Sequence, residues 1–272
     1  METATGIEVR ELLALARRAT EAGVEVASAW SRRREELCVE EKAAADDLVS
    51  QADRDTEAAI RAVLAEARPE DGVVGEEDGT TEGRSGIHWL IDPIDGTTNY
   101  LHGRPDWAVT VAAVHSASSR TLAGVVAEPA LRRITAASLG GGAWSDGRRL
   151  PRRGPVDLER ALVEVNWGRP AQRRFAADML KALLPRVRDV RRGGSAAAAL
   201  AQVADGRTDA YWGPGLQAWD GAAGALIVAE AGGEVGDLER STEGDWPSRG
   251  DVLATAPTLW QPLREILRSV YR

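Results

Sequence analysis

The chain has 272 residues, 43% apolar and 28% charged, with a formal net charge of −8 and one cysteine, Cys38. That length accommodates one large domain or two closely fused ones, and the lack of any apolar run of about 18 residues excludes a helical membrane span. The acidic balance argues against generic nucleic-acid binding, though not against an anionic substrate, because bound cations invert a local field.

A lone cysteine cannot close an internal disulfide, which fits a reducing cytoplasm. At the N-terminus Leu12, Leu13, Leu15, Ala16 and Ala19 recur at helical spacing among charges. That pattern predicts an amphipathic helix over about 7–36 rather than a leader peptide. An extended stretch follows near 37–49, then a helix from about 53 to 67. Ser50 and Asp53 have the spacing of a capping box at its start, and Ile60, Val63, Leu64 and Ala67 share one face. Apolar runs predict strands at Ile87–Ile91, Ala108–Val114, Leu122–Val126 and Ile134–Ala137. Gly140-Gly141-Gly142 and the segment 146–151 mark turns. Further on, strands at Ala161–Val165, Val187–Val190, Asp209–Trp212 and Asp251–Ala256 alternate with helices near 170–184, 195–205, 218–231 and 258–270. A strand-rich first half followed by alternating elements predicts two fused layered units, 1–150 and 151–272, meeting near 145–155.

Four short segments carry the chemistry. Asp92-Pro93-Ile94-Asp95-Gly96-Thr97 follows the apolar run Trp89-Leu90-Ile91. Two carboxylates close together at a strand end, with a backbone carbonyl between them, are what a hard cation such as Mg²⁺ requires. Gly75-Glu76-Glu77 offers a further acid at the exit of Val73-Val74; Asp53 and Asp220 each stand at a predicted helix start. Each feature has an ordinary structural use: turn, solvated loop or helix cap. An EF-hand is excluded because the twelfth position counted from Asp92 is Gly103 rather than an acid, and no Gly-x-x-x-x-Gly-Lys-Ser/Thr loop exists for a nucleotide kinase.

In combination, the stretches DLVSQAD, VVGEE, WLIDPIDGTTNYLHGRPDWAVTV, RRGGSAAAALAQVADGRTDAYW and WDGAAGALIVAEAGG resemble the inositol monophosphatase family from about residue 40 to 233. The resemblance implies an α-β-α-β-α sandwich of the sugar-phosphatase type, assembled as a homodimer, and Mg²⁺-dependent hydrolysis of a small phosphate monoester. It implies that Glu76, Asp92 and the carbonyl of Ile94 hold one magnesium. Asp92, Asp95 and Asp220 hold a second, and a third, weaker ion lies beside Glu76. Asp53 with Thr97, together with Glu76, is implied to position and deprotonate the attacking water. Lys42 matches a family lysine near the metals. The Gly96 and Thr97 amides are placed to receive phosphate oxygens.

The same resemblance implies that Asp95 and Gly194-Ser195-Ala196 contact the alcohol, and that Gly213 stands where the family carries a glutamate. Loss of that acid predicts weaker selection for a polyol and room for a differently decorated alcohol. A cyclitol or sugar monophosphate is the leading substrate class. A modified nucleoside monophosphate, histidinol phosphate or 3′-phosphoadenosine 5′-phosphate is the alternative, and Thr98 in place of lysine favours the former. Trp212 and Trp167 are read as packing residues in preference to a nucleobase platform. His88, His102 and His115 lack metal-ligand spacing. A non-catalytic regulatory protein of the same fold is the reading from another class, opposed by the complete acid set.

Overall fold

The structure is a computed structural model that describes residues 9–37, 39–41, 48–168, 173–239 and 250–270. Cys38, Lys42 and Asp47 lie outside the described residues. The first helix, α1 (Val9–Ser31), buries Leu12, Leu15, Ala16 and Ala19 along one stripe. It ends five residues earlier than predicted, and a turn and a 3₁₀ segment at Arg34–Glu36 follow. Strands β1 (Val39–Glu41) and β2 (Leu48–Ser50) pair antiparallel and lead into α2 (Gln51–Ala67).

The first half then builds a sheet from β3 (Gly72–Gly75), β4 (Gly79–Thr81), β5 (Ile87–Asp95), β6 (Ala108–His115), β7 (Arg120–Glu128), β8 (Arg133–Ser138), β9 (Gly142–Ser145) and β10 (Arg148–Arg149). Its order is β10-β9-β8-β7-β6-β5-β3-β4, and every pairing is antiparallel except β3 with β5. A one-turn helix, α3 (Thr97–Leu101), follows β5. At the β9–β10 hairpin Asp146 and Gly147 both take positive φ, as a tight two-residue turn demands.

The second half contributes β11 (Leu162–Val165), α4 (Arg173–Leu183), β12 (Asp189–Arg191), α5 (Ala196–Asp205), β13 (Ala210–Gly213), α6 (Ala218–Glu230), β14 (Glu234–Gly236), β15 (Val252–Thr255) and α7 (Trp260–Val270). Five strands order as β12-β11-β13-β15-β14, with β11 parallel to both its neighbours. Strands β4, β9, β10 and β14 have no counterpart among the predicted elements. They are two to four residues long, too short for an alternating pattern to register.

Period-two alternation distributes the cores among five layers. Trp89 and Ile91 face α1 and α2, whereas Leu90 on the same strand faces α5 and α6. On β13, Tyr211 joins the α5–α6 core, while Trp212 faces α4 and α7. The result is α1/α2, eight-stranded sheet, α5/α6, five-stranded sheet, α4/α7: the α-β-α-β-α sandwich. Helices α5 and α6 are enclosed on both sides, which explains their apolar composition all round. Small residues bring their backbones close. A Cβ at Gly124 of β7 would lie 2.7 Å from Ala223 Cα on α6. Among the described residues no helix is long and apolar enough to cross a membrane.

Candidate active site

Strand register brings the first two acids together. Because Gly75 of β3 pairs in parallel with Ile91 of β5, the next residues, Glu76 just past β3 and Asp92 within β5, stand side by side. The Glu76 amide donates to the Ile91 carbonyl at 3.2 Å, extending that ladder by one step.

A β-bulge brings in the third. Residues three apart on a regular strand point to opposite faces. Between Asp92, opposite Thr110, and Asp95, opposite Ala108, β5 carries one extra residue. The insertion returns Asp95 to the side of Asp92 and accommodates Pro93, which a regular ladder would reject. Gly96 then takes a φ of 97°, a turn open to glycine, and starts α3.

Helix starts supply the rest. Asp53 closes a capping box on Ser50, accepting from its amide at 2.8 Å and its hydroxyl at 2.7 Å. The other Asp53 oxygen faces Thr97 Oγ1 at 3.4 Å, and that hydroxyl also lies 3.1 Å from the Ile94 carbonyl. Asp95 Oδ2 accepts from Ser195 Oγ and the Ala197 amide, both at 2.6 Å, at the start of α5. Asp220 caps α6 by accepting from the Gln217 amide at 2.8 Å, and its side chain reaches Asp92. The N-termini of α2, α3, α5 and α6 therefore meet beside the ends of β3 and β5, where helix dipoles favour negative charge.

This gathering perturbs the acids. Asp92 is 1% exposed. Burial first, then the charges of Glu76, Asp95, Asp220 and Asp53, push its carboxyl well above the usual range. Burial raises Asp95 to about 6, against the pull of its Ser195, Ala197 and Ala196 hydrogen bonds. Asp220 is raised by burial and then by Asp95.

Several supporting residues escaped the sequence reading. Glu57, fully buried in α2, accepts from the amides of Glu77 (2.8 Å) and Asp78 (3.1 Å) and pairs with Arg61 at 2.7 Å. It thereby braces the turn carrying Glu76. Asn99 donates to the carbonyls of Asp106 and Gly193, and Glu164 accepts from the Gly193 amide, so the Gly193–Ser195 loop is held from two sides. Helical period exposed none of these: a single acid within an amphipathic helix reads as surface.

Gly213 departs from expectation. The space beside it is not open, because the Tyr211 hydroxyl occupies the place a side chain at 213 would take. Trp212 is fully buried in the α4–α7 core, and Trp167 packs against the same core, in keeping with packing roles. His88 and His115 bond Ser116 and Ser118 on the surface, and His102 follows the last turn of α3.

The family model described as the inositol monophosphatase family matches residues 8–271. The chain belongs to the inositol monophosphatase family. An inositol-1-monophosphatase of Mesorhizobium japonicum is 42% identical over 212 residues, covering 76% of this chain and 78% of that protein. The Nus factor SuhB of Pseudomonas aeruginosa is 38% identical over 253 residues, 90% and 92% of the two chains. Among solved structures, the extragenic suppressor protein suhB of Bartonella henselae superposes with a TM-score of 0.89 at 33% identity, covering 95% of this chain and 98% of that one. Family membership makes the chain a phosphoric monoester hydrolase of a generally magnesium-dependent kind.

The donor set suits such an ion. Carboxylates and a carbonyl are hard oxygen ligands, and Asp92 stands among four acids that all raise its pKa. As the side chains stand, no three His, Cys, Asp or Glu among the described residues converge to hold one ion. Asp92 and Asp220 instead close on each other.

Proposed function

We propose that this inositol monophosphatase family member hydrolyses the monophosphate of a cyclitol or sugar, using two or three magnesium ions held by Glu76, Asp92, the Ile94 carbonyl, Asp95 and Asp220. The observation that carries this reading is the burial of Asp92 amid four other acids. Uncompensated, such a group of charges is costly; a divalent cation removes the repulsion. Magnesium, when bound, neutralises phosphate charge and lowers the pKa of coordinated water.

The chain's own groups then handle substrate and proton. Thr97 Oγ1, between Asp53 and the Ile94 carbonyl, takes a proton from the attacking water as its own proton passes to Asp53 Oδ1. Glu76 orients the same water. The amides of Gly96 and Thr97 receive phosphate oxygens. The water oxygen bonds to phosphorus as the in-line bond from phosphorus to the ester oxygen breaks; that oxygen leaves as the alcohol after taking a proton from a solvent water, and Asp53 returns its proton to solvent. Gly194, Ser195 and Ala196 border the alcohol, with Asp95 anchored between Ser195 and Ala197. The protein acts in the cytoplasm as a homodimer on this reading.

A panel of esters at fixed magnesium tests the substrate class: inositol 1-phosphate, sugar phosphates, histidinol phosphate, nucleoside monophosphates and 3′-phosphoadenosine 5′-phosphate. The highest kcat/KM is expected on a cyclitol or sugar ester; preference for a nucleotide or histidinol phosphate would overturn that class. A regulatory role is the second reading, favoured by the Pseudomonas aeruginosa relative named a Nus factor. Folded protein without turnover on any ester would turn the balance toward it.

A further inference from the structure

Glu164 is an acid on a buried strand. In register it stands opposite Arg191, the last residue of β12, so it lies beside the chain that leaves β12 for α5. Its neighbours on β11, Val163 and Val165, belong to the α4–α7 core, and Glu164 itself is only 4% exposed. A carboxylate in such a place is costly unless it is hydrogen-bonded. The bond it makes is to the Gly193 amide, 2.8 Å from Oε1.

Asn99 grips the same glycine by its other polar group. It is a buried residue of α3, two positions after Thr97. Its Nδ2 donates to the Gly193 carbonyl at 2.7 Å and to the Asp106 carbonyl at 2.6 Å. Gly193 is thus fixed through both of its peptide groups: the amide by an acid of the five-stranded sheet, the carbonyl by the helix that carries Thr97. Packing alone would not fix it, because a cavity of about 330 Å³ is lined by Glu164, Gly193, Arg191 and Arg207. Missing side chains let the two holders in. A Cβ at Gly193 would lie 2.3 Å from Glu164 Oε1, and one at Gly194, whose φ is 104°, would lie 2.8 Å from Asn99 Nδ2.

The anchored loop runs directly into the site. Gly194 and Ser195 follow, and a Cβ on Gly96 would stand 3.4 Å from Ser195 Cβ and 3.5 Å from the Gly194 carbonyl. The loop therefore touches the turn read above as receiving phosphate. We propose that Asn99 and Glu164 are positioning residues for alcohol selectivity: by gripping Gly193 they set where Gly194 and Ser195 stand relative to Gly96. That spacing decides which hydroxyls of the alcohol meet a partner while the phosphate is held at the turn. The proposal rests on the reading of Gly194, Ser195 and Ala196 as the border of the alcohol. Selection through hydroxyl hydrogen bonds requires the loop to be in place before substrate arrives, and a shift of about 1 Å is enough to weaken it.

The test is the ratio of kcat/KM for inositol 1-phosphate to that for phenyl phosphate, whose alcohol carries no further hydroxyl, in saturating MgCl₂. Such a ratio is indifferent to how much of a preparation is folded. Glu164→Ala frees the Gly193 amide, and Asn99→Asp sets an oxygen against the Gly193 and Asp106 carbonyls. Each is expected to lower the ratio about 10-fold, the worth of one hydrogen bond to the alcohol, through a higher KM for the inositol ester. Glu164→Gln keeps an acceptor and is expected to hold the wild-type ratio. An unchanged ratio in Glu164→Ala would overturn the proposal, whether or not Asn99→Asp folds. A fall in Glu164→Gln equal to that in Glu164→Ala would overturn it too, since the grip on Gly193 would then not be the cause. Wild type with equal kcat/KM on the two esters would overturn the alcohol reading beneath it as well.

Discussion

Asp92, at the bulge of β5, and Asp220, in the first turn of α6, lie with their side chains in hydrogen-bonding reach of each other. Two carboxylates approach so closely only by sharing a proton or a cation. Asp220→Asn supplies a neutral donor in place of the shared proton. It is expected to raise the melting temperature without divalent cation and to abolish the stabilisation that magnesium confers on wild type. Melting with and without MgCl₂ checks both; a variant still stabilised like wild type would contradict the assignment.

Protonation of Asp95 gives a signed pH prediction. Its folded pKa, about 6, lies above the ordinary value of 3.8. The folded state therefore holds the proton more tightly, and the stability this contributes is full below the unfolded pKa and lost as pH rises through the folded one. Asp95→Asn remains neutral throughout. In chelator, the variant should match wild type near pH 4 and exceed it in stability above pH 6. A gap that instead opens toward low pH would contradict the direction of the shift.

Glu57 acts at one remove from the site, through the amides of Glu77 and Asp78. Glu57→Gln keeps an acceptor but loses the charge that pairs with Arg61. We expect the magnesium concentration at half-maximal activity to rise about 10-fold, comparable with other losses behind a ligand. Glu57→Ala also leaves two amides and Arg61 without their partner, and should cost about 3 kcal/mol in denaturant unfolding. Unchanged magnesium dependence in both variants would make Glu57 a packing residue only.

Gly124 tests how Asp220 is delivered. Any side chain there meets the α6 backbone, with Ala223 Cα at 2.7 Å, and backbone cannot swing aside. Gly124→Ala should destabilise by about 1–3 kcal/mol and weaken magnesium binding, because α6 carries Asp220. Wild-type stability and affinity would mean that sheet and helix are less tightly coupled than their contact implies.

Local features of this architecture were legible because they are written locally. The capping box at Ser50–Asp53 and the long strands of the first sheet follow from propensity and alternation. What remained hidden depends on long-range pairing. The approach of Glu76 to Asp92 requires β3 to lie parallel beside β5, and four residues of β3 carry no signal of that choice. Likewise the DPID segment discloses two acids, but only the register against β6 reveals the bulge that turns them to one side. Gly213 suggested an opening, whereas Tyr211, two residues earlier on the same face, closes it.

The most direct measurement is inorganic phosphate released from inositol 1-phosphate by wild type and Asp92→Asn, each titrated from chelator into MgCl₂. The acid cluster described above predicts saturable, magnesium-dependent release by wild type and only assay background from a folded Asp92→Asn protein. Release that persists in chelator, or survives the substitution at full rate, would contradict it.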